Sequence, residues 1–79
     1  MAHNNESEAA QAAWNSPGKL IYVKDRQVAF IVNRKCLIRV SHNYSGWIAH
    51  NLSADSYSDK QPTLKALLDC IGISLKRYN

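Results

Sequence analysis

Five side chains in this chain have the chemistry of metal ligands, nucleophiles or general bases: His3, Cys36, His42, His50 and Cys70. A metal site needs several such ligands within reach of one ion, usually at C-x-x-C or H-x-x-x-H spacing. None of the five pairs in that way. His42 and His50 bracket a hairpin and are the only two expected to approach each other; otherwise the histidines read as exposed turn residues. Nucleophilic catalysis needs a nucleophile, a base and a group that orients the base. Cys36 or Ser45 with His42 or His50 supplies the types, but no nucleophile elbow surrounds them. Cys36 falls in the inward set of its strand. The body carboxylates Asp25, Asp55, Asp59 and Asp69 are scattered rather than paired. Three glycines form no phosphate-cradling loop. The expectation is a protein that is not an enzyme, with no metal and no cofactor.

Basic and aromatic side chains form a better pattern. Arg34, Lys35 and Arg39 cluster around one predicted turn and the strand after it, and Tyr44 and Trp47 mark the next hairpin. Arg, Tyr and Trp are enriched at the centres of protein interfaces. The same types neutralise phosphates and stack on unpaired bases. These five residues are the expected partner-binding surface, with Lys76 and Arg77 as a secondary basic patch. Tyr57 and Tyr78 are further exposed candidates.

Seventy-nine residues make one domain. A chain of this size buries only about 60–65% of the surface that its unfolded form exposes, which leaves little room for a deep, water-excluding site. Charge is unevenly placed. Residues 1–18 carry Glu6 and Glu8 and no Lys or Arg, a net −2. Residues 19–79 carry all ten basic residues against four Asp, a net +6. A basic body attracts acidic protein surfaces or nucleic acid. Two distant cysteines are too few for a disulfide framework, and both sit in apolar patterns typical of free buried thiols. No basic segment followed by an apolar run opens the chain, and the longest apolar run, 28–32, is too short to span a bilayer. The expectation is a cytoplasmic protein with no membrane association. Asn43-Tyr44-Ser45 and Asn51-Leu52-Ser53 fit the glycosylation pattern but read as chance matches in turns.

The elements that must position these groups follow from hydrophobic period. Asn5, with Glu8 three residues on, caps an alanine-rich helix over about 6–14, ended by Ser16-Pro17-Gly18. Its one large apolar group is Trp14, so it is ordered only if Trp14 docks; residues 1–18 are therefore read as an acidic, partly flexible segment, and 19–79 as a single α+β domain. Strands are expected at about 20–24, 27–33, 36–41 and 46–50, giving an antiparallel sheet of three or four. In 27–33 both faces are apolar, so that strand is covered twice. Asn33 is expected to supply the left-handed residue of the turn that follows. The segment 51–61 reads as a loop. Ser58 with Gln61 offers a capping box, and Leu64, Leu67, Leu68, Ile71 and Leu75 fit an amphipathic helix over about 62–75. This helix is expected to cover Val28, Phe30, Ile38 and Val40.

The order helix, strands, helix resembles the double-stranded RNA-binding domain, which implies an RNA-facing basic surface. That family has a lysine-rich start to its last helix, where Gln61-Pro62-Thr63-Leu64-Lys65-Ala66 carries one lysine. The stretch Ile38 to Ile71, with Gly46-Trp47, a Ser/Asp loop and Pro62-Thr63-Leu64, resembles the HicB-like antitoxins, which implies a dimeric regulator. The size and α+β layout are similar in style to small phage-encoded inhibitors such as anti-CRISPR proteins. The leading expectation is a non-enzymatic protein that docks on a protein partner and regulates or inhibits it. Nucleic-acid binding through the same side chains is the alternative, and an antitoxin-like homodimer is the third reading.

Overall fold

Five antiparallel strands in strict sequence order, with one helix on each face, are what the computed structural model shows over the residues it describes, 3–72. The elements are α1 (Glu6–Asn15), β1 (Ile21–Tyr22), β2 (Val28–Asn33), β3 (Cys36–Asn43), β4 (Gly46–Asn51), β5 (Ser56–Tyr57) and α2 (Leu64–Cys70). The α+β class and antiparallel sheet are as expected. The strand count is not, because β5 lies inside the segment read as a loop. Two residues are too few to show a period. With β5 outside it, β4 is an inner strand. Two helices flanking five strands also depart from the helix, three strands, helix order of the RNA-binding resemblance.

Register sorts the core into two halves. Ala29 pairs with Val40 and Val40 with Ala49, while Ile31 pairs with Ile38. Paired residues share a face, and this face meets α2 through Leu67 and Leu68, both fully buried. Phe30, Val32 and Ile21 point the other way, and α1 seals them with Ala9 and Ala13. Strand β2 is thus buried on both sides, as its composition demands. The expected partners of α2 need correcting: Ile38 and Val40 lie under it, whereas Val28 and Phe30 face α1. Alternation along a strand gives two faces but not which helix takes which.

Helix α1 begins where expected, with the Asn5 side chain accepting the Glu8 N–H at 2.9 Å. It docks through alanines rather than through Trp14, which stays 45% exposed. Small side chains let the helix backbone approach the sheet closely. Its ends are tied down as well: the Gly18 N–H donates to Val32 O at 2.8 Å, and the His3 N–H to Tyr22 O at 2.9 Å. Thr63, not Ser58, caps α2, accepting the Ala66 N–H at 3.1 Å. Ser58 instead accepts the Ala49 N–H at 3.0 Å from β4. Helix α2 ends before Gly72, whose φ is +81°, so it is shorter than its apolar period suggests; positions 73–75 lie outside the described residues.

Candidate interaction surface

The five residues expected to form one contact surface are spread over two ends and two faces. Arg34 and Lys35 form the two-residue turn between β2 and β3, and Tyr44 sits in the turn between β3 and β4. Strand β3 separates those turns by about 23 Å at 3.3 Å per residue. Tyr44 is fully exposed. Trp47 pairs with His42 on the α2 face and packs against the core there, with ring centroids 5.0 Å apart. Arg39 lies on the opposite face, half-buried beneath α1. Lys76 and Arg77 fall outside the described residues.

Arg39 is held rather than free. Its Nε donates to Glu6 Oε1 at 2.6 Å and its Nη2 to Oε2 at 3.3 Å, while Arg26 stands 3.9 Å from the same carboxylate. The Arg39 hydrogen bond, opposed by partial burial and helped by the charges of Arg39 and Arg26, keeps the Glu6 carboxyl below its ordinary pKa. Two guanidiniums share this one carboxylate, with Glu8 as the second acid in the same turn of α1.

Beyond Arg39 the same face continues past the reach of α1, with Ile48 and His50 half-buried on it. Helix α1 packs on β1, β2 and β3, and among the described residues its backbone does not come close to that of β4 or β5. The row continues from Arg39 to His50 and from His50 to Tyr57 by register. The His50 and Tyr57 rings stack at 4.0 Å, nearly parallel, and His50 Nε2 lies 3.2 Å from Asp55 Oδ1. Ser41 and Ile48 form the next row. Leu52, whose N–H donates to Leu37 O, lies at the other end. Tyr57 is 67% exposed and Leu52 41%. Glu6, Ala10 and Trp14 are spaced four apart and therefore run in one line along α1.

Period-two spacing of Ile48, His50 and Leu52 was the available signal for this strip, and the exposure of Tyr57 was expected. The part played by Glu6 was not, since it joins residues 33 positions apart. His42 and His50 cannot meet across the hairpin, because they occupy opposite faces and strand rather than turn positions. Among the described residues no three His, Cys, Asp or Glu side chains gather closely enough to hold a metal. Cys36 is half-buried and Cys70 exposed, and both are free, so neither is the buried thiol its surroundings suggested. A cleft of about 290 Å³ on the α2 face is lined by Cys36, Ile38, Ala49, Asn51, Ser58 and Ile71. Asn51 Oδ1 and Ser58 Oγ there are already engaged in local hydrogen bonds. Asn43 likewise accepts from Ser45 within its own turn. No described helix is long and apolar enough to cross a membrane. No family model matches the chain, and no curated protein or solved structure matches it.

Proposed function

We infer that the protein is a non-enzymatic binding module that docks on a protein partner and regulates or blocks it. One observation carries the reading: α1 stops short of β4 and β5, and on that half of the sheet face Leu52 and Tyr57 stand exposed beside half-buried Ile48 and His50. Scattered apolar side chains are ordinary on a surface, but a contiguous set rimmed by polar groups marks an interface. The stacked His50–Tyr57 pair gives it a rigid aromatic anchor, the kind of group that dominates binding energy. Two free thiols fit a reducing compartment, and so a cytoplasmic site of action.

Affinity capture from the native cell tests this, using the wild-type chain and a Leu52→Lys/Tyr57→Ala variant as baits. Both positions are exposed, so the variant should fold as the wild type does. A protein retained at moderate salt by the wild type and lost by the variant supports the reading. Nucleic acid recovered in its place, or a partner held equally by both baits, overturns it. Self-association alone, read by light scattering, moves the case to the antitoxin-like homodimer.

A further inference from the structure

Toward one corner the α2 face of the sheet turns from apolar to polar. On that face β2 carries Ala29, Ile31 and then Asn33, and β4 carries Ala49 and then Asn51, with Ser56 of β5 opposite Asn51. Helix α2 ends at Cys70, and among the described residues β4 is the one strand its backbone comes close to. The corner it leaves is the cleft of about 290 Å³, just below the range that takes drug-sized molecules. We propose that this cleft binds a small organic carboxylate, with its oxygens on the Arg34 guanidinium and the Asn51 amide NH2 and its apolar body on Ile38, Ala49 and Ile71. The site lies on the sheet face opposite His50 and Leu52, so the proposal goes beyond the docking reading and does not rest on it.

Local turns have already consumed the acceptors at this corner, and what they leave are donors. Asn51 Oδ1 accepts the Ser53 and Ala54 N–H groups, each at 3.0 Å. That fixes the amide's orientation and leaves its NH2 as the unused half. Ser58 Oγ accepts the Ala49 N–H and donates to Asp59 O. A guanidinium has donors only, and among the described residues no carboxylate pairs with Arg34. Among those residues no Asp or Glu lines the cleft either. A ligand must therefore bring acceptors and negative charge. The floor asks for something else. Ile38, Ala49 and Ile71 form it beside the half-buried Cys36 thiol, so a bare anion would leave apolar surface uncovered. At about 30 Å³ for each non-hydrogen atom, the volume holds about ten, a carboxylate on about six to eight carbons.

A carboxylate fits better than a phosphate. It is planar and singly charged, which matches one guanidinium fork bidentately. A dianion would keep an unpaired charge, because Arg34 is the one cation lining the cleft among the described residues. The backbone of Arg34 points the same way. Its φ is +52° and that of Lys35 +64°, in a two-residue turn that Asn-Gly would form without strain. Such strain persists where a side chain serves something other than the turn.

The test titrates the full chain, labelled for NMR, with benzoate. Benzamide (the same ring without the charge), acetate (the charge without the ring) and inorganic phosphate are the comparators. Benzoate should shift the amides of Asn33, Arg34, Asn51 and Ile71 along one saturable curve, with a Kd of about 1 mM or tighter. Each comparator should bind at least about tenfold more weakly. The two free thiols give a second readout. Saturating benzoate should slow the alkylation of Cys36 by iodoacetamide severalfold and leave exposed Cys70, which does not line the cleft, unchanged. Arg34 is exposed in its turn, so Arg34→Gln should keep the spectrum of the folded chain and lose about tenfold in affinity, with Arg34→Lys recovering only part of it. Benzamide binding as tightly as benzoate, phosphate binding more tightly, or no saturable shift by about 20 mM would overturn the proposal. So would equal protection of the two cysteines, or undiminished binding by Arg34→Gln.

Discussion

The Glu6–Arg39 fork fastens the N-terminal helix to the middle of the sheet, and its effect can be read through pH. Folding lowers the Glu6 pKa from its ordinary value of 4.5, chiefly through the Arg39 hydrogen bond. The unfolded chain therefore binds more protons in the window just below 4.5, and stability rises with pH there. The contribution is present above 4.5 and is lost as pH falls through the folded value. Both side chains are about one-third exposed, so the pair contributes less than about 1 kcal/mol. Glu6→Gln should lower stability at neutral pH by that amount, leave it unchanged in strong acid, and flatten the acid limb between; denaturant unfolding across pH measures this. Strain at Arg34 and Lys35 gives a prediction of the opposite sign. Replacing them with Asn-Gly, the pair that a hairpin with two positive-φ positions favours, should stabilise by about 1 kcal/mol and raise Tm by about 4–8 °C. An unchanged melting curve would mean the turn carries no strain. Gly46 is the counter-case. A Cβ there would stand 2.6 Å from Gln61 O, on a backbone with φ of +145°. Gly46→Ala should cost more than about 2 kcal/mol in a thermal melt, because the backbone must move.

Each helix meets the sheet by a different logic, and that difference decided what was legible in the sequence. Helix α2 announces itself through Leu64, Leu67 and Leu68, and Leu67 and Leu68 are the side chains that vanish into the core. Leu68→Ala should cost about 2–5 kcal/mol in urea unfolding. Helix α1 announces its span but not its contact, because a close-packed contact made by Ala9 and Ala13 looks the same in sequence as a solvated alanine-rich helix. Trp14 is the largest side chain on the helix, yet it stays 45% exposed. The structure assigns the docking role to alanines, so Ala13→Leu should destabilise by about 1–3 kcal/mol through overpacking, and Trp14→Ala should change little. Equal effects from the two substitutions would show that α1 does not sit on Phe30 and Val32. The strands of the hairpins were readable because alternation and turn residues are local signals. Strand β5 was not, since two residues acquire strand geometry only from the β4 edge they complete. The candidate site was readable only in kind. Arg39 and Tyr57 have interface chemistry in any arrangement, but register alone could show that Arg39 is joined to Tyr57 through His50 and that Trp47 is turned to the other face.

At the scale of the whole molecule, the distribution of positive charge separates docking on protein from binding to phosphate. Lys19 and Lys24 flank β1, Arg34 and Lys35 sit at one end, Lys65 is on α2, and Lys60 donates to Ser45 at 2.8 Å near the other end. Arg39 is already committed to Glu6. Among the described residues, a nucleic-acid backbone laid along any one face therefore meets about two to four cations. Each phosphate neutralised contributes about −0.9 to the slope of log K against log salt, so the slope for duplex DNA should be no steeper than about −4. A protein that tracks phosphates with six to ten contacts gives about −5 to −9. Fluorescence anisotropy with a labelled duplex and a labelled single strand, run across a salt series, measures the slope directly. Capture of the protein partner should change much less over the same series, because its centre is the apolar and aromatic strip rather than the charged rim. A slope as steep as −6 would require the basic residues to converge on one ligand. That would place the working surface across several elements at once, and not on the half of the sheet that α1 leaves open.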